Sequence, residues 1–130
     1  MFTISKQFHF SASHIIEGVP QEHPCSRLHG HNYVVEIVLA AQVLDAVGFV
    51  VDYNELKTFK KIIDCELDHR HLNDVLPGAT TAEAIAAYLY QKAKVIWPQV
   101  VAMRVSETPR TWAEYRETAF PSSIPSQWQG

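Results

Sequence analysis

The run Cys25-Ser26-Arg27-Leu28-His29-Gly30-His31-Asn32-Tyr33, continuing into Val34-Val35-Glu36-Ile37-Val38-Leu39, changes at His29 from a loop-like composition to a β-branched apolar one. It reads as a strand that opens with two histidines two positions apart. Side chains at i and i+2 of a strand leave the same face, so both imidazoles can point at one ion. A third would complete the three-histidine shell of a catalytic zinc, whose open fourth position takes water or substrate, and His14 is the candidate. The plain alternative is three unrelated histidines, since His-x-His also arises by chance.

Upstream, Phe2, Ile4, Phe8, Phe10 and Ala12 occupy alternate positions, with Lys6 as the exception, which predicts a half-buried strand. His14 has the same parity and falls at the end of the apolar face unless a bulge intervenes. Residues 15–28, with Gly18, Pro20 and Pro24, make a connection longer than most hairpin loops, a kind that is often functional. The strand from His29 to Ala40 is apolar on both faces apart from Asn32 and Glu36, as a central strand would be.

Downstream, a turn around Gly48 leads to Asp52-Tyr53-Asn54-Glu55, a capping box ahead of Leu56, Phe59, Ile63 and Leu67 at helical spacing. That helix is expected to end near residues 68–74. A second box, Thr80-Thr81-Ala82-Glu83, opens a helix with Ile85, Tyr88, Leu89 and Ile96 that Pro98 stops. Val101, Met103, Val105 and Glu107 alternate along a third strand, and residues 108–111 turn it into a fourth from Trp112 to Arg116. The order β-β-α-α-β-β predicts an α+β domain over residues 1–118, with one antiparallel sheet and both helices on a single face. Its open edges would be removed by association of subunits. Residues 119–130, rich in Ser, Pro and Gln, read as a C-terminal tail.

At 130 residues, 47% hydrophobic and 19% charged, the chain has the composition of one globular domain. A formal charge of -3 gives no electrostatic reason to expect a nucleic acid or an anionic membrane as partner. With neither a signal-like N-terminus nor an apolar run of about 18 residues, the protein is expected to be cytoplasmic, with Cys25 and Cys65 as reduced thiols.

Cys25 is either a small buried hydrophobe or, beside Arg27 and the histidines, an activated thiol. It could also be a fourth ligand closing a structural zinc site. Asp68-His69 is either a polar helix terminus or a carboxylate-oriented acid/base pair. Glu107 continues an apolar face and needs a partner, an arginine or the amide-like donors of a ligand. Arg27 is either simply solvated or a contact for an anionic substrate.

Phe10-Ser11-Ala12-Ser13-His14, Cys25-x3-His29-Gly30-His31-Asn32-Tyr33, Gly48-Phe49-Val50-Val51-Asp52-Tyr53, Leu67-Asp68-His69, Thr81-Ala82-Glu83 and Ser106-Glu107-Thr108 together resemble the 6-pyruvoyltetrahydropterin and 6-carboxytetrahydropterin synthase family, across residues 3–117. The resemblance implies the tunnelling fold (T-fold), with trimers closing a β-barrel and two trimers stacked into a homo-hexamer whose sites lie between subunits. It implies zinc on His14, His29 and His31, a catalytic Cys25, and a proton-relaying Asp68 and His69 from a neighbouring subunit. Glu107 would anchor the pterin with help from Thr81, and Arg27 would attract the triphosphate. Ala82 stands where some relatives carry a second hydroxyl residue.

The substrate implied is the small molecule 7,8-dihydroneopterin triphosphate. Three residues separate Cys25 from His29, a spacing similar to that of the 6-carboxy enzymes of queuosine and deazapurine biosynthesis. The expected reaction is that of a zinc-dependent lyase giving 6-carboxy-5,6,7,8-tetrahydropterin, acetaldehyde and triphosphate. The alternatives are the 6-pyruvoyl product or another pterin.

Overall fold

Alternation along the first and second strands sets the architecture, which a computed structural model of the chain describes over residues 1–117. Strand β1 (Phe2–His14) buries Phe8, Phe10, Ala12 and His14, and its exposed or half-exposed positions include Ser5, Gln7, Ser11 and Ser13. Strand β2 (His29–Ala41) buries Tyr33, Val35, Ile37 and Leu39. The two pair antiparallel along their whole length, Phe8 opposite Val35 and Phe10 opposite Tyr33. One face of this long hairpin is therefore apolar and the other largely polar.

Helices cover the apolar face. Asp52 accepts from the Asn54 N–H at 2.9 Å and starts a single 3-10 turn, Tyr53–Leu56, before α1 (Lys57–Glu66). The expected box therefore forms only in part, because Asp52 caps the second residue of the turn and not Glu55. Helix α1 turns Phe59 and Ile63 into the core, where Phe59 meets Phe8 and Trp97 edge to face. Helix α3 (Ala82–Ile96) adds Ile85, Ala86, Leu89, Tyr90 and Ala93. Its cap is Thr81, whose hydroxyl accepts from the Ala84 N–H at 3.2 Å. The second box is thus shifted by one residue, and Thr80 is buried instead of capping.

Strands β4 (Val100–Ser106) and β5 (Ala113–Tyr115) complete the antiparallel part. A bulge opposite Val38 and Leu39 places Val100, not Val101, on the buried face with Met103 and Val105. Between α1 and α3 lie two pieces the sequence pattern did not separate, β3 (Arg70–His71) and the one-turn helix α2 (Leu72–Val75). Because β3 runs parallel to β1 at Ala12 and Ser13, the sheet is mixed, in the order β3-β1-β2-β4-β5. Among the described residues no helix is long and apolar enough to cross a membrane. The expected tail, residues 119–130, lies outside the described residues.

Phe59 is fully buried among aromatic neighbours, so Phe59→Ala is expected to cost about 3–5 kcal/mol in denaturant unfolding.

Candidate functional site

The hairpin register decides where the histidines go. His14 faces His29 and Ala12 faces His31, so all three imidazoles leave the buried face at one end of the sheet. Their rings contact pairwise, with centroids 4.5 Å apart for His14 and His29, 5.2 Å for His14 and His31, and 4.9 Å for His29 and His31. One ligand atom from each lies within 4.8 Å of the others.

Backbone carbonyls fix the ring orientations. His14 Nδ1 donates to the Thr80 carbonyl at 2.8 Å and His29 Nδ1 to the Arg27 carbonyl at 2.7 Å, so in each ring Nε2 is the nitrogen the carbonyl does not engage. Burial pushes the His14 pKa down against the opposing Thr80 bond, so this imidazole is neutral at neutral pH. The Nε2 atoms of His14 and His31 are buried without a hydrogen-bond partner. An orphaned buried nitrogen is costly unless something else binds it, and two of them beside a third imidazole fit a metal ion. Neither orienting carbonyl was legible in the sequence, because any residue supplies one.

Glu107 stands next to this cluster. Its Oε2 is 3.2 Å from His31 Nε2, a close electrostatic contact without hydrogen-bond alignment, and its Oε1 accepts from the Ala82 N–H at 3.2 Å. The carboxylate therefore sits at the N-terminus of α3, where the helix dipole favours negative charge. It also lines a cavity of about 320 Å³ with Ala82, Thr111 and Trp112. The expected choice between an arginine and a ligand is narrowed: the groups that Glu107 meets here are an imidazole and a backbone amide. Burial, and then the charge of Glu107, raises the Tyr33 pKa and keeps its phenol protonated, 3.4 Å from His14 Nδ1.

The other expected residues are placed differently. Cys25 is half-buried in the middle of a 3-10 turn, Pro24–Ser26, and its carbonyl accepts at 2.9 Å from the N–H of Ile16, two residues past the end of β1. Arg27 is exposed, and its established contact with the cluster is the carbonyl that holds His29. The Thr81 hydroxyl is engaged as the α3 cap.

Asp68 and His69 form a pair, Oδ2 to Nδ1 at 2.9 Å, fastened to the open edge of β1. Asp68 Oδ1 accepts from the Ser11 N–H at 2.9 Å, and the His69 N–H donates to the Ser11 carbonyl at 2.6 Å. Among the described residues His69 is the one non-glycine with positive φ, 58°, a conformation costing roughly 1–2 kcal/mol for an L-residue. Its side chain is 83% exposed, so within one chain the pair is held ready but is not enclosed with the imidazoles. The largest described cavity, about 790 Å³ between α1 and α3, is lined by residues such as Ile62, Tyr88 and Val95 and by none of these groups.

The family model described as 6-pyruvoyl tetrahydropterin synthase matches residues 3–118. The chain is 35% identical to a 6-carboxy-5,6,7,8-tetrahydropterin synthase of Bacillus subtilis, over 88% of this chain and 85% of that one. With the Synechocystis protein of the same name it shares 34% identity, over 88% and 93%. The solved 6-pyruvoyl tetrahydropterin synthase of Caenorhabditis elegans superposes with a TM-score of 0.80 at 26% identity, over 90% of this chain and 96% of that chain.

The Ser11 N–H bond, against a smaller burial cost, and then the neighbouring His69 lower the Asp68 pKa. A depressed carboxylate contributes stability that is present above its unfolded pKa of about 3.9 and is lost as pH falls through the lower folded value. Asp68→Asn is therefore expected to lose less stability than the native chain on acidification below about pH 4, read from unfolding midpoints across pH.

Proposed function

Since the chain belongs to the 6-pyruvoyl tetrahydropterin synthase family, we propose that it converts 7,8-dihydroneopterin triphosphate and water into 6-carboxy-5,6,7,8-tetrahydropterin, acetaldehyde and triphosphate, as in queuosine and deazapurine biosynthesis. The carrying observation is the pair of orphaned buried imidazole nitrogens beside Glu107. The names of the Bacillus and Synechocystis relatives and the short Cys25 to His29 spacing favour the carboxy product.

His14, His29 and His31 would hold zinc, which when bound supplies a Lewis acid that eases proton loss beside the substrate's side-chain oxygens. The remaining work falls to the chain's own residues. Glu107 accepts hydrogen bonds from the amino and amide N–H groups of the ring and fixes its orientation, with Thr81 beside it. Cys25 as thiolate removes the proton from the side-chain carbon next to the ring. His69, oriented by Asp68, moves protons at the side-chain oxygens.

Two electrons leave the side chain and reduce the ring, so no external reductant is consumed, and triphosphate departs by elimination. Adding water across the resulting dicarbonyl breaks its carbon-carbon bond, leaving a carboxylate on the ring and releasing acetaldehyde. Stopping one step earlier gives the 6-pyruvoyl product. Arg27, exposed at the loop, is the proposed contact for the triphosphate.

Two further features support a site shared between copies in a homo-hexamer. His69 is exposed on its own chain, and β1 from Phe2 to Phe10 has no strand on its outer edge among the described residues. The cytoplasm is the proposed compartment.

Incubation with 7,8-dihydroneopterin triphosphate is expected to yield the carboxy pterin by mass spectrometry, with acetaldehyde in equal amount. A pyruvoyl pterin without acetaldehyde would move the chain to the alternative, and neither product would indicate a different pterin.

About one zinc per chain is expected, lost in the His29→Ala, His31→Ala variant and retained in Glu107→Gln. The latter should weaken binding of a pterin ring roughly 10- to 100-fold, the equivalent of charge-assisted hydrogen bonds worth about 1.5–3 kcal/mol. Metal analysis and pterin fluorescence titration separate the two effects.

A further inference from the structure

The residue after His14 is gripped by a side chain 58 positions away. Asn73, in α2, donates from Nδ2 to the Ile15 carbonyl at 2.9 Å and accepts at Oδ1 from the Ile15 N–H, also at 2.9 Å. Thr80 Oγ1 adds a longer bond to the same carbonyl, at 3.4 Å. A side-chain amide offers a donor and an acceptor side by side, as a peptide group does. Asn73 thus supplies with its side chain the rung that a neighbouring strand would supply with its backbone.

This rung is the last of a ladder along one edge of β1. Asp68 and His69 bond the two backbone groups of Ser11, and β3 runs beside Ala12 and Ser13. The Ser13 hydroxyl lies 3.0 Å from His71 Nδ1. The backbone then turns into α2 and can pair no further, and Asn73 carries the pairing to Ile15. An asparagine early in a helical turn more often bonds its own neighbouring backbone. Here both of its functional groups are used on Ile15.

One residue further, the Ile16 N–H donates to the Cys25 carbonyl at 2.9 Å. Three consecutive residues therefore have three separate tasks: His14 offers its imidazole, Ile15 is clamped, and Ile16 anchors the turn that carries the thiol. From this we infer that Asn73 is a positioning residue coupling the three-histidine cluster to Cys25, one amide steadying the backbone between His14 and the turn that carries the thiol. The inference rests on the zinc and thiol roles proposed above, and its geometry stands apart from them. Residues 15–28 form a long connection whose ordering must be secured at its ends. At the N-terminal end the clamp does this, where a twist of Ile15 would turn His14 and move Cys25 together.

Asn73→Asp is the sharp test, because it keeps shape and one acceptor but sets an oxygen against the Ile15 carbonyl, and Asn73→Ala removes both bonds. Two readouts apply: zinc affinity by chelator competition, and iodoacetamide labelling of Cys25 in the metal-free chain, with exposed Cys65 as the internal reference. Zinc affinity is expected to fall about 10- to 100-fold, as for other residues that orient metal ligands, and the Cys25 to Cys65 labelling ratio to rise several-fold. The control is Phe59→Ala, which weakens the core and leaves the clamp intact.

An unchanged labelling ratio in both Asn73 variants would overturn the inference, whether or not zinc binding weakens. An equal rise in Phe59→Ala would do the same, by reducing the effect to general loosening. Failure of the native chain to take up zinc would instead defeat the metal reading, and the thiol ratio would still decide the clamp.

Discussion

Everything at the site depends on the register between β1 and β2. Side chains alternate across a strand, so a slip of one residue would send His29 and His31 to the polar face with Ser11 and Ser13. In a short hairpin the turn sets register, but here the connection runs from residue 15 to 28 and is too long to do so. Packing fixes it instead. Phe10 stacks on Tyr33 with centroids 4.7 Å apart and planes 8° from parallel, and Phe8 meets Phe59 from α1. The imidazole cluster is thus an extension of the hydrophobic core, reached by following the same face to its end.

That origin explains the electrostatics. His14 is fully buried, and burial biases it toward the neutral form in which a nitrogen lone pair is available. Thr80 and Arg27 give the cluster only carbonyls, which hold the ring N–H groups without adding charge. The adjoining carboxylate, Glu107, is held at the start of α3 by the Ala82 amide, because Val34 opposite Ser106 brings the end of β4 beside β2. The proposed metal ligands and the proposed ring anchor are therefore set relative to each other by one strand pairing.

Much of this was legible in the sequence where one periodicity governed a segment. Parity put His29 and His31 on one face of β2 and His14 at the end of the apolar face of β1, the register joined the two, and helical spacing picked out Phe59, Ile63, Ile85 and Leu89 as core. Legibility failed where tertiary contacts overrode local signals. Thr80 reads as a cap as readily as Thr81, but its carbonyl is needed by His14, so the helix starts one residue later. Arg70 and His71 follow a helical segment and become a strand because the β1 edge offers backbone partners. Val101 lost its expected place to a bulge, which parity cannot foresee. The roles of Thr80, Arg27 and Ile15 at the site are carried by backbone groups, on which residue identity leaves no trace.

The edge of β1 is where the fold and the proposed chemistry meet. Asp68 and His69 are held there firmly, with three hydrogen-bonded contacts and a left-handed backbone that few residues would adopt unaided. Yet the imidazole they position is mostly in water, where an acid/base group is screened and has no fixed substrate to serve. Strain held in place for an exposed group suggests a surface still to arrive. Among the described residues the same edge of β1 has no partner strand from Phe2 to Phe10, a length of backbone that a second strand would satisfy. Under the proposed reaction one event answers both demands: a copy docked along that edge completes the ladder and brings its own imidazole cluster toward a histidine already oriented to meet it.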